Sequence, residues 1–291
     1  MVFYGISTKK AVEQVPGLSH EKRVEIAKRE QQETQAEKDQ ALTVRKSNQL
    51  IQKNRFDMTL REQRLLLYCI SKIKPTDKGE ETYTISIRDV CAACGIADNV
   101  TGGAYKAMRE AVKKLDSFNF FMKDVDGRVH LVHWIEHVVI DPERKKKACI
   151  QFNFDPRIVP YLFDVKKRFT SYELGNVMQM QSVYGIRLYE LSKSYEFRGG
   201  HTFSLDELRY LMGAEEESYK RYSNLKQKII EPAIKEVNSL SDLKVDYIEI
   251  KEGRKVTGLK FIISSGWAER AERHLEQIDG KRHPERYKDN Q

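Results

Sequence analysis

The chain has 291 residues, of which 51 are Lys or Arg and 43 are Asp or Glu, so its formal net charge is +8. This length accommodates two domains that each bury an apolar core, and the basic balance suits a polyanionic partner. The longest apolar runs, such as residues 65–69, are far shorter than the roughly 20 residues of a membrane helix. Four cysteines without a signal peptide favour a reducing cytosol over a disulfide framework. We therefore expect a cytoplasmic protein without a membrane segment.

Charge and polarity divide the chain into four predicted parts. Residues 1–45 are predicted to form a charged N-terminal arm that is helical or disordered, because the stretch from about Ser19 to Lys46 is dominated by Glu, Lys, Arg and Gln. Residues 267–291 are again polar and are predicted to form a C-terminal tail. The apolar patterns between them predict a first domain over residues 46–152 and a second over residues 153–266.

The first domain is predicted to have the order helix, strand, helix, helix, hairpin. Its first helix begins after Thr59 and is ended by Pro75. The other predicted elements are a strand at 82–87, a helix at 88–94 ended by Gly95, a helix at 103–118, and a hairpin of strands 119–124 and 129–140 that turns at Asp126-Gly127.

The second domain is predicted to repeat this order. Its predicted elements are a helix at 184–195, a strand at 202–205, a helix at 206–212 ended by Gly213, a long helix at 219–240, and a hairpin at 243–264 that turns at Glu252-Gly253. Pro232 lies inside the long helical pattern, where it should kink the helix or begin its second half.

The two halves also match residue by residue. Three pairs share one constant separation of 118 residues, namely Thr84 with Thr202, Ser86 with Ser204, and Gly95 with Gly213. Further along, Ala111-Val112-Lys113 corresponds to Ala233-Ile234-Lys235, and Gly127-Arg128 corresponds to Gly253-Arg254. Because chance rarely keeps such a register, the sequence predicts two copies of one α+β domain related by internal duplication.

The longer helix of each copy is the candidate reader of DNA, because a helix that follows a shorter one can enter a major groove about 12 Å wide. In the second copy, an apolar stripe from Tyr222 to Val237 leaves a polar and basic side opposite. Arg and Asn suit base edges, so Arg221 and Asn224 are predicted to read bases. The predicted phosphate contacts of this copy are Lys220, Lys226, Lys228 and Lys235 on the helix, and Lys251, Arg254 and Lys255 on the hairpin.

The first copy carries a corresponding basic side. Its candidate DNA contacts are Lys106, Arg109 and Lys113 on the helix and Arg128 on the hairpin. Any amphipathic helix has a charged solvated side, so one helix alone would say little. The same polarity in two copies favours a shared surface for double-stranded DNA.

Metal and catalytic chemistry are not predicted. Cys91-x-x-Cys94 has no second pair at zinc-site spacing, and His133-Trp-Ile-Glu-His137 lacks the His-Glu-x-x-His order of zinc hydrolases. The sequence also has no Gly-x-x-x-x-Gly-Lys phosphate loop. We expect no metal, no cofactor and no enzymatic activity; a metal-dependent origin-nicking enzyme is the least favoured alternative.

Several stretches resemble one known family. They are Lys46-Ser47-Asn48-Gln49-Leu50, the run from Met58 to Leu65, the run from Tyr184 to Leu191, and the run from Ile230 to Asn238. Together they resemble the iteron-binding plasmid replication initiators of the Rep 3 type, which include the F plasmid initiator. The resemblance covers roughly residues 45–265.

The resemblance implies a protein with two tandem winged-helix domains that binds directly repeated origin DNA, helps to open the origin, and recruits the host initiator and helicase. It further implies a homodimer that represses its own gene through an inverted repeat. A dedicated transcriptional repressor built from the same two domains is the main alternative, since the sequence hardly separates the two functions.

Overall fold

The computed structural model describes residues 42–55, 57–95, 103–115, 117–123, 126, 128–141, 149–163 and 168–265. The predicted C-terminal tail, most of the predicted N-terminal arm, and Gly127 lie outside the described residues. The elements of the first half are β1 (Thr43–Ser47), α1 (Asn48–Lys53), α2 (Leu60–Ile70), β2 (Tyr83–Ser86), α3 (Ile87–Ala93), α4 (Gly103–Leu115), β3 (Asn119–Lys123), β4 (Val129–His133), β5 (Ile135–Asp141) and β6 (Cys149–Phe154).

The second half begins with short elements and continues with the repeated order. Its elements are α5 (Val159–Leu162), β7 (Phe169–Glu173), α6 (Gly175–Met178), α7 (Val183–Tyr195), a 3-10 turn (Glu196–Arg198), β8 (Gly200–Ser204), α8 (Leu205–Met212), α9 (Glu217–Lys220), α10 (Tyr222–Leu225), a wide helical turn (Lys226–Ile230), α11 (Glu231–Leu240), β9 (Leu243–Glu252) and β10 (Lys255–Ser265).

The residues that match between the two halves have the same structural role in each. Ser86 and Ser204 are helix N-caps, and each hydroxyl accepts a hydrogen bond from the backbone N–H three residues on, at 3.2 Å and 3.1 Å. Gly95 and Gly213 follow the ends of these helices with φ of 66° and 68°. Glycine enters this left-handed region without a steric penalty. The structure thus confirms the repeat predicted between α3 and α8.

The second domain has the predicted hairpin. Strands β9 and β10 pair antiparallel, and β10 also pairs with β8, so the sheet order is β8-β10-β9. The turn lies where it was predicted, at Gly253, whose φ is 60°. The hairpin is the wing of this domain.

The predicted hairpin of the first domain is only half right. The predicted strand 129–140 is broken at Trp134, which is fully buried. Strand β4 pairs with β3, whereas β5 pairs with β6, a strand that the sequence analysis missed. The resulting sheets are β3-β4 and β2-β6-β5. The chain changes from one strand pair to the other at the buried indole. The alternation of apolar and polar residues along 129–140 does not show that Trp134 must be buried in this way.

A strand pair near the start of the described chain was also missed. Strand β1 pairs antiparallel with β7, from Thr43 opposite Glu173 to Ser47 opposite Phe169. Val44 on β1 is fully buried, so apolar packing begins before the predicted start of the first domain at residue 46. This pairing joins residues more than 120 positions apart in the sequence, which no local pattern reports.

The predicted long helix 219–240 is not continuous. The backbone of Arg221 is extended, with φ −73° and ψ 118°, and separates α9 from α10. A second irregularity follows at Lys226–Ile230, where the N–H of Glu231 donates to the carbonyl of Lys226, five residues earlier. Pro232 stands in the first turn of α11. It therefore begins the second half of the helical segment, one of the two outcomes predicted for it.

The apolar core runs continuously through both halves of the described chain. Cys69, Cys91 and Cys94 belong to this core. Within the described residues, no group of three or more His, Cys, Asp and Glu side chains could hold a metal ion. No described helix is long and apolar enough to cross a membrane.

Candidate nucleic-acid interface

The apolar stripe of the second reading helix is buried as predicted. Leu225, Ile229, Ala233 and Val237 are fully buried, and Tyr222 packs against the core. The wide turn has a local cause: proline lacks an N–H, and its ring crowds the carbonyl four residues earlier, which is that of Lys228. The opposite side of the segment faces solvent, and this side carries the predicted DNA contacts.

The bend at Arg221 is held by side chains. The guanidinium of Arg209 donates to the carbonyls of Tyr219 at 3.0 Å and Lys220 at 2.9 Å. The Asn224 amide donates to the carbonyl of Ser218 at 2.8 Å. Because these bonds satisfy carbonyls at the end of α9, the chain can turn there without losing hydrogen bonds.

The two predicted base readers therefore differ in their surroundings. Arg221 is exposed at the bend. Asn224 is half-buried, and one of its two amide hydrogens is already used to hold the bend. Reading of bases by either residue stays a prediction, and Arg221 is the better placed of the two.

Two of the predicted phosphate contacts take part in a cluster around Glu249 on β9. Tyr222 donates its hydroxyl to this carboxylate at 2.7 Å, and the ammonium groups of Lys226 and Lys251 lie 3.0 Å and 3.1 Å from it. These hydrogen bonds, that of Tyr222 first, lower the pKa of Glu249 to about 2. The cluster connects the start of the reading segment to the wing. Lys226 and Lys251 therefore stabilise this contact within the fold, in addition to the DNA contacts predicted for them.

Four further predicted phosphate contacts have no such restraint. Lys228 and Lys235 are exposed on the helical segment, and Arg254 and Lys255 are exposed at the tip of the wing. None of the four has a carboxylate partner among the described residues. We call these four residues, together with Arg221, the cationic side. Their spacing along helix and hairpin places positive charge on two neighbouring projections of one domain.

The remaining predicted contacts are exposed but mostly paired locally. Lys220 lies 2.7 Å from Glu217, Lys113 lies 2.9 Å from Glu110, and Arg128 lies 3.0 Å from Asp126. Exposed ion pairs of this kind contribute little to stability, so these cations can give up the carboxylate for a phosphate at little cost. Lys106 and Arg109 are exposed on α4. In the first domain the basic side therefore lies on α4, the helix that corresponds to the reading segment of the second domain.

A buried ionic cluster that no local sequence pattern predicts joins β1, β7 and α7. Lys46 on β1 forms an ion pair with Glu190 on α7, and these side chains are 3% and 1% exposed. Tyr172 on β7 donates its hydroxyl to the same carboxylate at 2.5 Å. Burial lowers the pKa of Lys46, and the charge of Glu190 partly offsets that effect. The cluster fastens the β1-β7 ribbon to α7.

Arg187, one turn before Glu190, extends this connection. It donates to the carbonyl of Leu211 at 2.7 Å, that of Ile51 at 2.6 Å and that of Asn54 at 2.5 Å. These carbonyls lie near the ends of α8 and α1, where helices leave carbonyl groups without intrahelical partners. One guanidinium therefore joins three separate segments of backbone.

The stretches that resemble the Rep 3 initiators account for much of this framework. Lys46 belongs to the first stretch, and Arg187 and Glu190 belong to the third. Glu236, in the fourth, accepts hydrogen bonds from the hydroxyl and the N–H of Ser182 at 3.0 Å and 3.3 Å, at the start of α7. The side chains that carry the resemblance thus hold the fold together, and most of the predicted DNA contacts lie outside these stretches.

Comparison with known proteins identifies the family. The sequence profile described as "Initiator Replication protein, WH1" matches residues 43–193, just over half of the chain. The profile described as "Initiator Rep protein, WH2" matches residues 204–263. The chain belongs to the initiator replication protein family. This confirms the resemblance drawn from the sequence and the assignment of two tandem winged-helix domains.

Individual relatives agree with this assignment. A replication initiation protein of Escherichia coli is 27% identical over 231 residues, which cover 76% of this chain and 69% of the relative. A probable replication protein of Bifidobacterium longum (strain NCC 2705) is 22% identical, over 68% of this chain and 64% of the relative. By family, the chain is a replication initiator. The domain boundaries at residues 46, 153 and 267 are not tested by these comparisons and stay predictions.

A solved structure supports the fold. The Pi initiator protein, crystallised in complex with iteron DNA, superposes with a TM-score of 0.63 at 21% identity, over 76% of this chain and 96% of that chain. At this identity the likeness bears on the fold alone.

Proposed function

We propose that this initiator binds directly repeated double-stranded DNA, the iterons of a plasmid origin, through the cationic side of its second domain and the basic side of its first. The observation that carries the proposal is the cationic side itself. It puts unpaired cations on a helical segment and on an adjoining wing, the two projections that a winged helix offers to a groove and its flanking backbone. The likeness of the fold to an initiator crystallised with iteron DNA adds support.

The proposal includes no catalytic step. The protein helps to open the origin by binding and recruits the host initiator and helicase, and as a homodimer it represses its own gene through an inverted repeat. It needs no metal or cofactor for these tasks.

Footprinting on the DNA upstream of its gene tests the proposal. The purified protein is bound at physiological salt with random DNA as competitor, because electrostatic binding alone does not survive such competition. We expect regularly spaced protection over direct repeats. Protection of a single inverted repeat would instead establish a repressor, and the lack of a specific footprint would refute the proposal. Relaxation of supercoiled origin DNA with divalent metal would contradict its non-catalytic part.

Arg221→Ala should relax sequence discrimination. We expect discrimination against the wrong base at one position of the repeat to fall by about 1–3 kcal/mol, since a bidentate Arg–guanine contact contributes that much. Binding constants for a series of singly substituted repeats measure the effect. An equal loss of affinity on all of them would rule out base reading by Arg221.

Lys228→Ala should weaken binding to all DNA sequences alike. Loss of one phosphate contact should also reduce the slope of log K against log salt by about 1. The matched control is Lys260→Ala, because Lys260 is also exposed but lies on the solvent face of the wing sheet, opposite the exposed Ile248. If both variants kept the parent slope, Lys228 would not contact a phosphate.

A further inference from the structure

Glu249 brings a carboxylate to the junction between the reading segment, which runs from α10 to α11, and the wing. Along β9 it alternates with Val245 and Tyr247 on one face of the strand. Val245 is buried on this face, and Leu259, which stands opposite Glu249 on β10, is fully buried. The carboxylate therefore lies on the inner face of the wing sheet, next to the reading segment, and not on the solvent face.

The groups bonded to Glu249 come from both projections of the domain. Tyr222 and Lys226 belong to the reading segment, and Lys251 belongs to the wing, two residues beyond Glu249 on the same strand. The side chains of Lys226 and Lys251 are 34% and 54% exposed. A phosphate can therefore reach both ammonium groups, but only in competition with the carboxylate between them.

The carboxylate and both ammonium groups are ionised at neutral pH. The hydrogen bonds from Tyr222, Lys226 and Lys251 hold the pKa of Glu249 at about 2. The hydrogen bond to Glu249, together with the neighbouring Tyr247, raises the pKa of Lys226. Two positive charges thus share one negative charge at neutral pH, on the side of the domain proposed to face DNA.

The fold does not require the negative charge at this position. Tyr222 needs only an acceptor for its hydroxyl hydrogen, and a neutral amide oxygen would supply one equally well. A carboxylate also repels the phosphates of any duplex that approaches the domain. It restrains Lys226 and Lys251, whereas Lys228 on the same segment has no such restraint. The charge of Glu249 therefore opposes electrostatic binding, and this cost calls for a role in recognition.

We propose that Glu249 is a specificity-determining residue, whose charge weakens binding to random DNA more than binding to the repeats. A protein gains discrimination by weakening the competing complex as well as by improving the correct one. Binding to random DNA depends on cations that replace counterions at phosphates, so restraint of Lys226 and Lys251 lowers it. The inference rests on the proposed function, because it assumes that this side of the second domain faces the duplex.

Binding to the repeats is affected less because the same bonds also organise the interface. They hold the wing against the reading segment before DNA arrives, and a surface that is already ordered loses less entropy on binding. A specific complex requires this fixed geometry, whereas loose electrostatic contact with random DNA does not. Loss of the charge therefore brings the specific complex both a gain and a penalty, while the non-specific complex only gains.

The test is Glu249→Gln in the full chain, titrated with a labelled repeat and with a random duplex of equal length. We expect affinity for random DNA at physiological salt to rise roughly 5-fold or more, and its slope of log K against log salt to steepen by about 1–2. The lower values apply if Lys226 stays with Glu231, which lies 3.9 Å away, so that only Lys251 is released. Affinity for the repeat should rise by a smaller factor, which lowers the ratio of the two binding constants.

Three further variants separate the role of Glu249 from general effects of charge and structure. Asp246→Asn removes one negative charge from an exposed position on the opposite face of β9 and should leave the ratio unchanged. Tyr222→Phe weakens the contact between wing and reading segment without releasing a lysine, so it should keep the parent salt slope on random DNA. Addition of Lys226→Gln and Lys251→Gln to Glu249→Gln should abolish the gain on random DNA.

The two binding constants also keep this inference separate from the proposed function. A parent protein without a specific footprint would refute the proposed function. With a specific footprint in the parent, an unchanged affinity of Glu249→Gln for random DNA would overturn the inference alone. An equal rise on random DNA and on the repeat would overturn it as well, because Glu249 would then act only through net charge.

Discussion

Glu190→Ala should lower the free energy of unfolding by about 3–5 kcal/mol, because removal of one partner of a buried ion pair leaves the other charge uncompensated. The charge left behind is that of Lys46, whose side chain is 3% exposed. Arg187, a turn away, keeps its three carbonyl partners but also loses the nearby carboxylate. Urea unfolding followed by circular dichroism measures the change.

The loss should depend on pH. In the parent, burial lowers the pKa of Lys46 from its usual value of 10.5, and Glu190 raises it again. Without Glu190 that pKa falls further, so the folded variant binds fewer protons than the unfolded chain between the lowered pKa and 10.5. Stability of the variant relative to the parent should then rise with pH between the pKa of Lys46 in the folded variant and its higher pKa in the folded parent.

Two controls make the result specific. Glu217→Ala breaks the exposed pair with Lys220 and should change stability by less than about 1 kcal/mol. The double variant Lys46→Met with Glu190→Gln removes the charges of both partners and should recover much of the loss, because Lys46 is no longer a buried charge without a partner. Arg187 stays charged in both variants and keeps its three carbonyl acceptors. Parent-like stability of Glu190→Ala would show that the cluster does not fasten the ribbon to α7.

Trp134→Ala should have the second large effect, a loss of about 3–5 kcal/mol, as is usual for truncation of a large buried aromatic residue. Its ring lies 5.1 Å from that of Phe120. Its backbone also serves both strand pairs of the first domain: its N–H donates to the carbonyl of Phe118, and its carbonyl accepts the N–H of Asp155, each at 3.3 Å. The residue therefore joins the β3-β4 hairpin to the β2-β6-β5 sheet.

Hydrogen exchange localises this effect. We expect faster exchange in residues 119–141 of Trp134→Ala and unchanged exchange in the second wing, residues 243–265. Phe121→Ala on the same hairpin should leave stability within about 0.5 kcal/mol of the parent, because Phe121 is exposed. Uniform acceleration over both domains would mean that Trp134 supports the whole core and not the first wing alone.

Local patterns were sufficient for the features that neighbouring residues decide. The helix predicted after Thr59 begins there because Thr59 and Glu62 form a capping box, in which each side chain bonds the backbone N–H of the other. The caps at Ser86 and Ser204 and the glycines that end α3 and α8 are likewise properties of a few consecutive residues. The second wing was predicted for the same reason, since a glycine with positive φ sets its turn.

Other features were predicted only in part. The stripe from Leu225 to Val237 was buried as predicted, yet the helix that carries it is bent at Arg221. The local pattern does not predict the bend, because the bend depends on Arg209 from another helix as well as on the nearby amide of Asn224. Helical periodicity reports which side is buried, but it does not report where carbonyls find partners outside the helix.

By itself the sequence determined the repeated unit, the buried stripe, the basic side opposite and, through four short stretches, the family. Tertiary structure alone decided the β1-β7 ribbon, the break at Trp134, and the buried cluster of Lys46 and Glu190. The physical reason is the range of the interactions. Caps, turns and stripes depend on residues a few positions apart, whereas an ion pair between residues 46 and 190 exists only once the chain has folded.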